Sequence, residues 1–488
     1  MALFSSLSER SPFLILGTFS VLISSTVLLA TKYYYLAPVP ALGVFAILAT
    51  LKWPKFLYYL VIALIPFGAF RTISEDLPFL RLHWIASFLL LLAAAYWTLP
   101  KRRLPDRLSC NLWNPMLLFL AINCIAASFS SYPALAFKNV LLIVVGYFVF
   151  FGMTLFFVDR DGFERILPRV IVASVALSGG LGVLGYFFNI DLFTGRDEMA
   201  SSSRGTGGVE DPNNMALYVI YTVPFLIHWV ARTTSKGKSL FFLLLLGNAT
   251  LAIVSTYSRG GALVFAITAF LTLFEHRKHI PPRKLGLLLS GFMVAIALAL
   301  LVIPQSYWER QGSLASEEDV SLSRRASYLM VAWESIQQSP LVGFGPGTFR
   351  ELYGRSEVTL QYKREGHSLK RDAHNTFVEV LIGSGVPGFA VFLWMIFLAI
   401  RNLGKTKRMY REKGQFVLAD LTGAYRQAFF ALLLYLCIFS DVFHKFLLLS
   451  LAASQVGMYA AKAAPDVLHT ECSTDELLQT SETTETLS

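Results

Sequence analysis

Long apolar runs alternate with short polar breaks along most of this chain. Fourteen runs stand out, near residues 13–30, 34–50, 56–70, 78–99, 112–128, 138–158, 166–188, 215–231, 239–257, 260–274, 285–303, 374–400, 426–442 and 444–461. Coiled as helices, most would cross the roughly 30 Å of a bilayer's hydrocarbon. Prolines interrupt the second and third, so twelve to fourteen spans are expected. The first run follows Arg10, lacks a small-residue cleavage site and exceeds a signal-peptide core, so it reads as a retained span. The pattern predicts an all-α, polytopic membrane protein. Its expected divisions are N-terminal spans over 1–303, a large loop over 304–373, C-terminal spans over 374–463 and an acidic tail over 464–488.

Composition agrees with the pattern. Of 488 residues, 55% are hydrophobic and 15% charged, where soluble domains carry about 25% charged residues. The net charge of +10 sits in short loops: Lys52/Lys55, Lys101–Arg103, Arg160/Arg165, Lys236/Lys238, Arg277/Lys278 and Lys405–Lys413. These fall on alternate loops, which places them and both termini in the cytoplasm by the positive-inside rule. That distribution argues against a nucleic-acid surface. Cys110, Cys124, Cys437 and Cys472 show neither metal spacing nor a disulfide framework. The tail, rich in Thr and Ser without Lys or Arg, is expected to be disordered.

On the opposite face lie two unusual polar segments. One, Asn189–Asn214, contains "SSSRGTGGVEDPNN"; the other, Pro304–Ala373, is long for a loop and therefore a candidate for function. Within it, "SRRASYLMVAWESIQQSP" places Leu329, Ala332, Trp333 and Ile336 at helical spacing with Arg325 on the same face. Ser321 or Ser323 would cap this helix and Pro340 would end it. It equally suits a bilayer surface, its arginine snorkelling to water.

Four groups on that face are candidates for chemistry: Arg204, Arg259, Arg325 and His374. Arg259, in "STYSRGGALVFA", is the only charge between Ser239 and Phe274. Arginine at mid-bilayer costs about 2.5–3.5 kcal/mol. This stretch is too long for one span, however, so Ser258–Gly261 is expected to form a tight outer turn, with Gly260 and Gly261 reversing the chain. Arg259 then sits at headgroup depth. A guanidinium stays charged and offers a planar fork that fits phosphate oxygens, so three around one pocket suit a lipid-linked diphosphate. Each arginine taken singly also reads as an interfacial anchor.

His374 lies in "KRDAHNTFVEVLIGSGVPG". With Asp372 as N-cap, His374 and Asn375 would occupy the first helical turn, where the dipole favours a neutral ring able to take a proton. An interfacial histidine bonded to a neighbour is the plainer alternative. Glu379 would point into the span and pair with an arginine or hold the helix. Two further motifs carry little weight. Asp159-Arg160-Asp161 matches the metal-binding pattern of nucleotide-sugar transferases but lies on the cytoplasmic side. Gly343–Gly347 looks like a nucleotide loop, yet no strand precedes it, and a turn is expected.

Four segments, "RGTGGVEDPNNMA" (Arg204–Ala216), "STYSRGGAL" (Ser255–Leu263), "RASYLMVAWESIQQSPLVGFGPGTF" (Arg325–Phe349) and "HNTFVEVLIGSGVPGFAVFL" (His374–Leu393), resemble in order the O-antigen ligase and polymerase family of bacterial envelopes. The resemblance covers about Arg204 to Ile400. It implies a GT-C-like membrane fold and an inverting, metal-independent glycosyl transfer without cofactor, in lipopolysaccharide or related polysaccharide biosynthesis. The reaction would occur at the periplasmic face of the inner membrane. The donor would be a glycan on undecaprenyl diphosphate, and the acceptor a hydroxyl of lipid A core, a growing glycan or a protein. By the same resemblance Arg204, Arg259 and Arg325 hold the diphosphate, His374 orients the acceptor or takes its proton, and Asp372, Asn375 and Glu379 support them. Arg325 rather than Arg324 matches, standing fifteen residues before Pro340. Asp372 replaces the family's first histidine, which leaves either Asp372 or His374 as base. Leu329 stands where an aromatic is usual, with Trp333 a turn later. Ligase, polymerase and protein-glycosylating activities are not separated by any motif. A transporter or flippase would place ionisable groups near the midplane and repeat its helices, and mid-span charges are few here. A membrane glycosyltransferase with a catalytic acid in its first outer loop fits poorly, since "TKYYY" holds no carboxylate.

Overall fold

A computed structural model of the chain describes residues 22–27, 41, 44, 52–68, 82–98, 105–190, 193–196, 203–280, 282, 286, 320–362, 370–442 and 444–466. The runs expected near 13–30, 34–50 and 285–303, and the acidic tail, lie wholly or largely outside these residues. Two compact units are present. The smaller comprises Met1–Val61 and Ser74–Leu104 and holds most of helix α1 (Pro54–Ala63) and all of α2 (Leu82–Thr98).

In the larger unit the described elements are helical apart from one short hairpin. Helix α3 (Trp113–Ser128) leads through a short break to α4 (Pro133–Phe157), whose middle widens into a π-turn at Tyr147–Gly152. Then come α5 (Gly162–Phe188), strands β1 (Thr194–Arg196) and β2 (Ser203–Gly205), α6 (Pro212–Arg232), α7 (Lys236–Ser255) and α8 (Arg259–His276). The long loop contributes α9 (Val320–Gln338) and α10 (Phe349–Arg355). Helices α11 (Thr376–Glu412), α12 (Phe416–Leu436) and α13 (Lys445–Ala463) complete the bundle. Seven of these helices are long and apolar enough to cross a membrane, and the protein is an all-α, polytopic membrane protein.

Helix α6 is the hub. It packs against α5, α7, α8 and α12, and 89% of its apolar window is buried inside the protein. A helix surrounded on every side cannot expose a polar face, and the mid-helix hydroxyls of α6, Tyr221 and Thr222, are bonded to Ser450 and to the Val219 carbonyl. Asp211 caps its start, accepting from the Asn213 N–H at 2.6 Å, and Pro212 occupies the first position, where its missing N–H does no harm.

Three boundaries differ from the hydropathy pattern. The last expected pair of spans begins ten residues early, with α12 starting at Phe416 rather than 426. Asp420, within the added turns, is ion-paired with Arg232 at the end of α6 and so is tolerated inside the bundle. Helix α11 runs on to Glu412 through the basic segment read as a loop; Lys, Arg, Met and Glu are good helix formers, and Lys407 and Tyr410 are buried against neighbours. In α9, which starts before both proposed capping serines, the buried face is Tyr328, Val331, Ala332 and Ser335, whereas Leu329 and Trp333 are exposed. Aromatic partners decided that rotation: Tyr328 packs edge-on against Tyr353 at 4.8 Å, within a small core that includes Phe349, Ala373 and Ile382.

As expected, Gly343–Gly347 is a turn, and its place is specific. Phe344 and Gly345 donate to the carbonyls of Ile382 and Gly383 at 2.9 Å each. Helix α11 is broken there by Gly385, with φ 65° and ψ −176°, and Val386 donates instead to the Pro340 carbonyl at 2.8 Å. The loop thereby pairs backbone groups that the break frees from the helix. A Cβ on Gly385 would stand 2.5 Å from the Leu341 carbonyl oxygen. Gly385→Ala is expected to destabilise the protein by about 1–3 kcal/mol from backbone strain alone. Thermal unfolding in detergent, beside Gly404→Ala in the open part of the same helix, measures it; equal melting temperatures for the two variants would refute the assignment.

Candidate functional site

Helix α5 ends on Asn189 in the left-handed conformation, which turns the chain into the β1–β2 hairpin. Arg204 sits on β2 opposite Gly195 and is buried. Its Nε–H donates to the Thr256 carbonyl at 2.7 Å, and a terminal nitrogen lies 3.5 Å from Asn213 Oδ1. Thr256 is the C-cap of α7, so Arg204 meets the negative end of a helix, where unpaired carbonyls gather.

The reversal after Thr256 corrects the expected one. Tyr257, at φ 53°, makes the turn, and its hydroxyl lies 2.5 Å from that of Tyr186. Ser258 caps α8 by accepting from the Gly261 N–H at 3.2 Å, and Arg259 is the first helical residue, half-buried. Gly260 and Gly261 do not reverse the chain; they let it pack. A Cβ on Gly260 would come within 2.3 Å of Ile438 Cδ1, and one on Gly261 within 2.9 Å of Ala216 Cβ. Arg259 thus follows, within one turn, the carbonyl that holds Arg204.

Tyr435, at the end of α12, ties these pieces together. Its hydroxyl donates to the Asn213 carbonyl at 3.0 Å and lies 3.3 Å from Ser258 Oγ. The charges of Asp211, Arg204 and Arg325 all reach that hydroxyl. Arg325, exposed on the first half of α9, approaches from the long loop, and its charge also bears on His374. The loop therefore delivers its arginine to the cluster built by the hairpin and the α7–α8 turn.

His374 stands immediately before α11 rather than inside it. Asn375 is the N-cap, its Oδ1 accepting from the Phe377 and Val378 N–H groups at 3.0 and 3.2 Å. Asp372 is not the cap; its carboxylate faces Arg350 at 3.4 Å and is half-exposed. An amide one residue before the helix can curl back on the first turn, whereas Asp372 lies too far upstream. His374 itself has φ 50°, with its ring 5.6 Å from that of Tyr328. Glu379 reaches back to accept from the Ala373 N–H at 3.1 Å, and Ser440 Oγ accepts from the Asn375 N–H at 3.1 Å. Burial, then the nearby Arg325 charge, lower the His374 pKa from its ordinary value, against opposing effects of Asp372 and Asp211. Burial and the cation both favour the neutral ring.

Arg325 acts on His374, Arg204 and Arg325 both act on the Tyr435 hydroxyl, and Arg259 stands at the adjoining helix start. Asp372, Asn375 and Glu379 hold the chain around His374. Pattern reading overlooked Asp211, Asn213, Tyr328 and Tyr435. "EDPNN" did carry a helix-start signal, acid before proline, that pointed to Asp211. Tyr435 offered none, being one aromatic among many in an apolar run. The Asp159-Arg160-Asp161 motif has a local role: Asp159 accepts from the Gly162 N–H at 2.9 Å and Asp161 pairs with Arg165 at 3.6 Å.

No curated protein matches the chain. Residues 240–393, which carry the α7–α8 turn, Arg325 and His374, match the family model described as O-antigen ligase. Over that segment, about a third of the chain, this membrane protein is similar to the O-antigen ligases.

Proposed function

We propose that the chain transfers a glycan from undecaprenyl diphosphate to an acceptor hydroxyl, at the end of the bundle where Arg204, Arg259, Arg325 and His374 gather. The observation that carries this reading is the Arg204–Thr256 bond. It holds a buried guanidinium against a neutral carbonyl and so fixes the direction of the cation. Arginines held in this way suit a diphosphate, whose oxygens accept paired N–H donors.

In the proposed step the acceptor oxygen attacks the anomeric carbon from the side opposite the diphosphate. The bond from that carbon to the diphosphate oxygen breaks, its electron pair leaves with the phosphate, and the configuration inverts. Negative charge grows on the leaving oxygen, where fixed cations stabilise it most. His374 takes the acceptor proton. Its neutral ring suits that task better than Asp372, whose carboxylate is engaged with Arg350. Binding of the diphosphate beside Arg325 would offset the cation that lowers the His374 pKa, making the ring more basic once the donor is in place. The donor would reach the site from the outer leaflet of the inner membrane, and the acceptor from the periplasm.

Arg259→Ala and Arg204→Ala are each expected to lower transfer by roughly a hundredfold or more, the scale of removing one electrostatic stabiliser, and the Arg259 variant still inserts at normal abundance. Envelope glycans from cells carrying each variant measure this. Accumulated lipid-linked polymer identifies a ligase and single capped repeats a polymerase; unchanged glycans with Arg259→Ala would remove the diphosphate clamp. A second expectation concerns pH. With its pKa lowered, His374 stays neutral as pH falls through the usual histidine range, so the acidic limb of the rate profile lies below that range. In Arg325→Gln, one cause of the lowering is gone and the limb moves upward. A pH profile of residual transfer tests this, and an unmoved limb would assign the base elsewhere.

A further inference from the structure

Helix α11 runs from His374's end of the bundle to a second concentration of charge, roughly 45 Å farther on at the rise of an α-helix. There Gly404, Lys407, Arg408 and Arg411 of α11, with Arg426 of α12, line a cavity of about 340 Å³. Lys407 is buried and ion-paired with Glu275 near the end of α8. The same carboxylate lies 3.5 Å from Arg426 and accepts from Gln427 at 2.5 Å. Glu275 is thus shared between two cations. Arg408 pairs with Glu412 at 2.7 Å on the exposed side. Asp420, six residues before Arg426 on α12, is already taken by Arg232.

Two features are left over. Among the described residues no carboxylate pairs with Arg411, and the Nε–H of Arg426 is buried without an acceptor. A buried donor without a partner is unfavourable, and for a charged group more so. Four cationic side chains face the cavity against the two carboxylates that pair with them. What such a lining lacks is an anion with several acceptor oxygens, which can meet more than one guanidinium at once. We propose that this cavity binds a phosphate group, presented by an anionic phospholipid headgroup or as free phosphate. Its place where apolar helices give way to charge is the depth at which headgroups lie, and basic pockets between helices hold such headgroups. The site is independent of the glycan-transfer reading, which uses the other end of α11.

The test uses the full chain purified in detergent. Native mass spectrometry with equal amounts of phosphatidylglycerol and phosphatidylcholine is expected to show retained phosphatidylglycerol. Arg411→Gln and Arg426→Gln each lower that retention roughly fivefold, the usual weight of one basic side chain at a lipid surface. Arg401→Gln, exposed on the same helix outside the cavity, leaves it unchanged. In a parallel arm, inorganic phosphate is titrated against chloride at matched ionic strength. Thermal stabilisation by phosphate that is lost in Arg411→Gln, without selective lipid retention, assigns free phosphate as the source. Arg411→Gln keeps both Glu275 pairs intact, so it carries the test even if Arg426→Gln fails to fold. Equal retention of the two lipids, or variants matching wild type, together with no effect of phosphate, would overturn the proposal.

Discussion

The hydrogen bond from Arg204 to the Thr256 carbonyl is the contact around which the candidate site is assembled. A helix ending inside a packed bundle leaves carbonyls that need donors, and α7 ends there. Arg204 supplies one, with a charge that complements the negative helix end. A charge-assisted bond of this kind contributes about 1.5–3 kcal/mol. Satisfying that carbonyl lets the chain turn at once into α8, whose start is capped by Ser258 and followed by Arg259. Tyr435 then joins the turn to the carbonyl of Asn213 on α6. One buried contact thereby couples the hairpin, the hub helix, the α7–α8 turn and the end of α12.

Two cations elsewhere in the bundle meet carboxylates. Arg232 meets Asp420, and Lys407 meets Glu275, so cations inside those helices are neutralised by acids on a neighbour. At the site the contacts that orient Arg204 are with a carbonyl and an amide. Such contacts fix the direction of the guanidinium. Asp211 tempers the positive field near His374 and Tyr435. Preorganised cations of this sort need little rearrangement when an anion arrives, the condition under which electrostatic stabilisation is most effective.

Much of this was legible in the chain, and what escaped has physical causes. Apolar runs located α4 to α8 and α11 to α13 because burial in lipid or among helices demands side chains of one kind over about twenty residues. The start of α12 escaped because Asp420 looks forbidding until its partner on α6 is known. The buried face of α9 was misread by one position because Leu329 and Trp333 are as apolar as Tyr328 and Val331, and only the ring of Tyr353 distinguishes them. The arginines and His374 stood out as uncommon polar residues in apolar surroundings. Tyr435 and Asn213, whose roles rest on hydrogen bonds across the bundle, leave no periodic trace.

Backbone strain sharpens the picture. Among the described residues, Asn189, Tyr257 and His374 are the non-glycine positions with positive φ. Asparagine adopts that conformation readily and ends α5. For a bulky tyrosine it is unusual, and for a histidine uncommon. Both are held there by neighbours: Tyr257 by the Tyr186 hydroxyl, and His374 by the Tyr328 ring on one side and the Asn375 cap on the other. Relaxing His374 into the helix would move its ring off Tyr328 and take Asn375 out of the cap position. Relaxing Tyr257 would displace Thr256 and, with it, the acceptor of Arg204. Of the two strained residues, Tyr257 therefore adjoins the acceptor of Arg204 and His374 is the candidate base itself, where a surrounding structure must over-determine geometry for strain to persist.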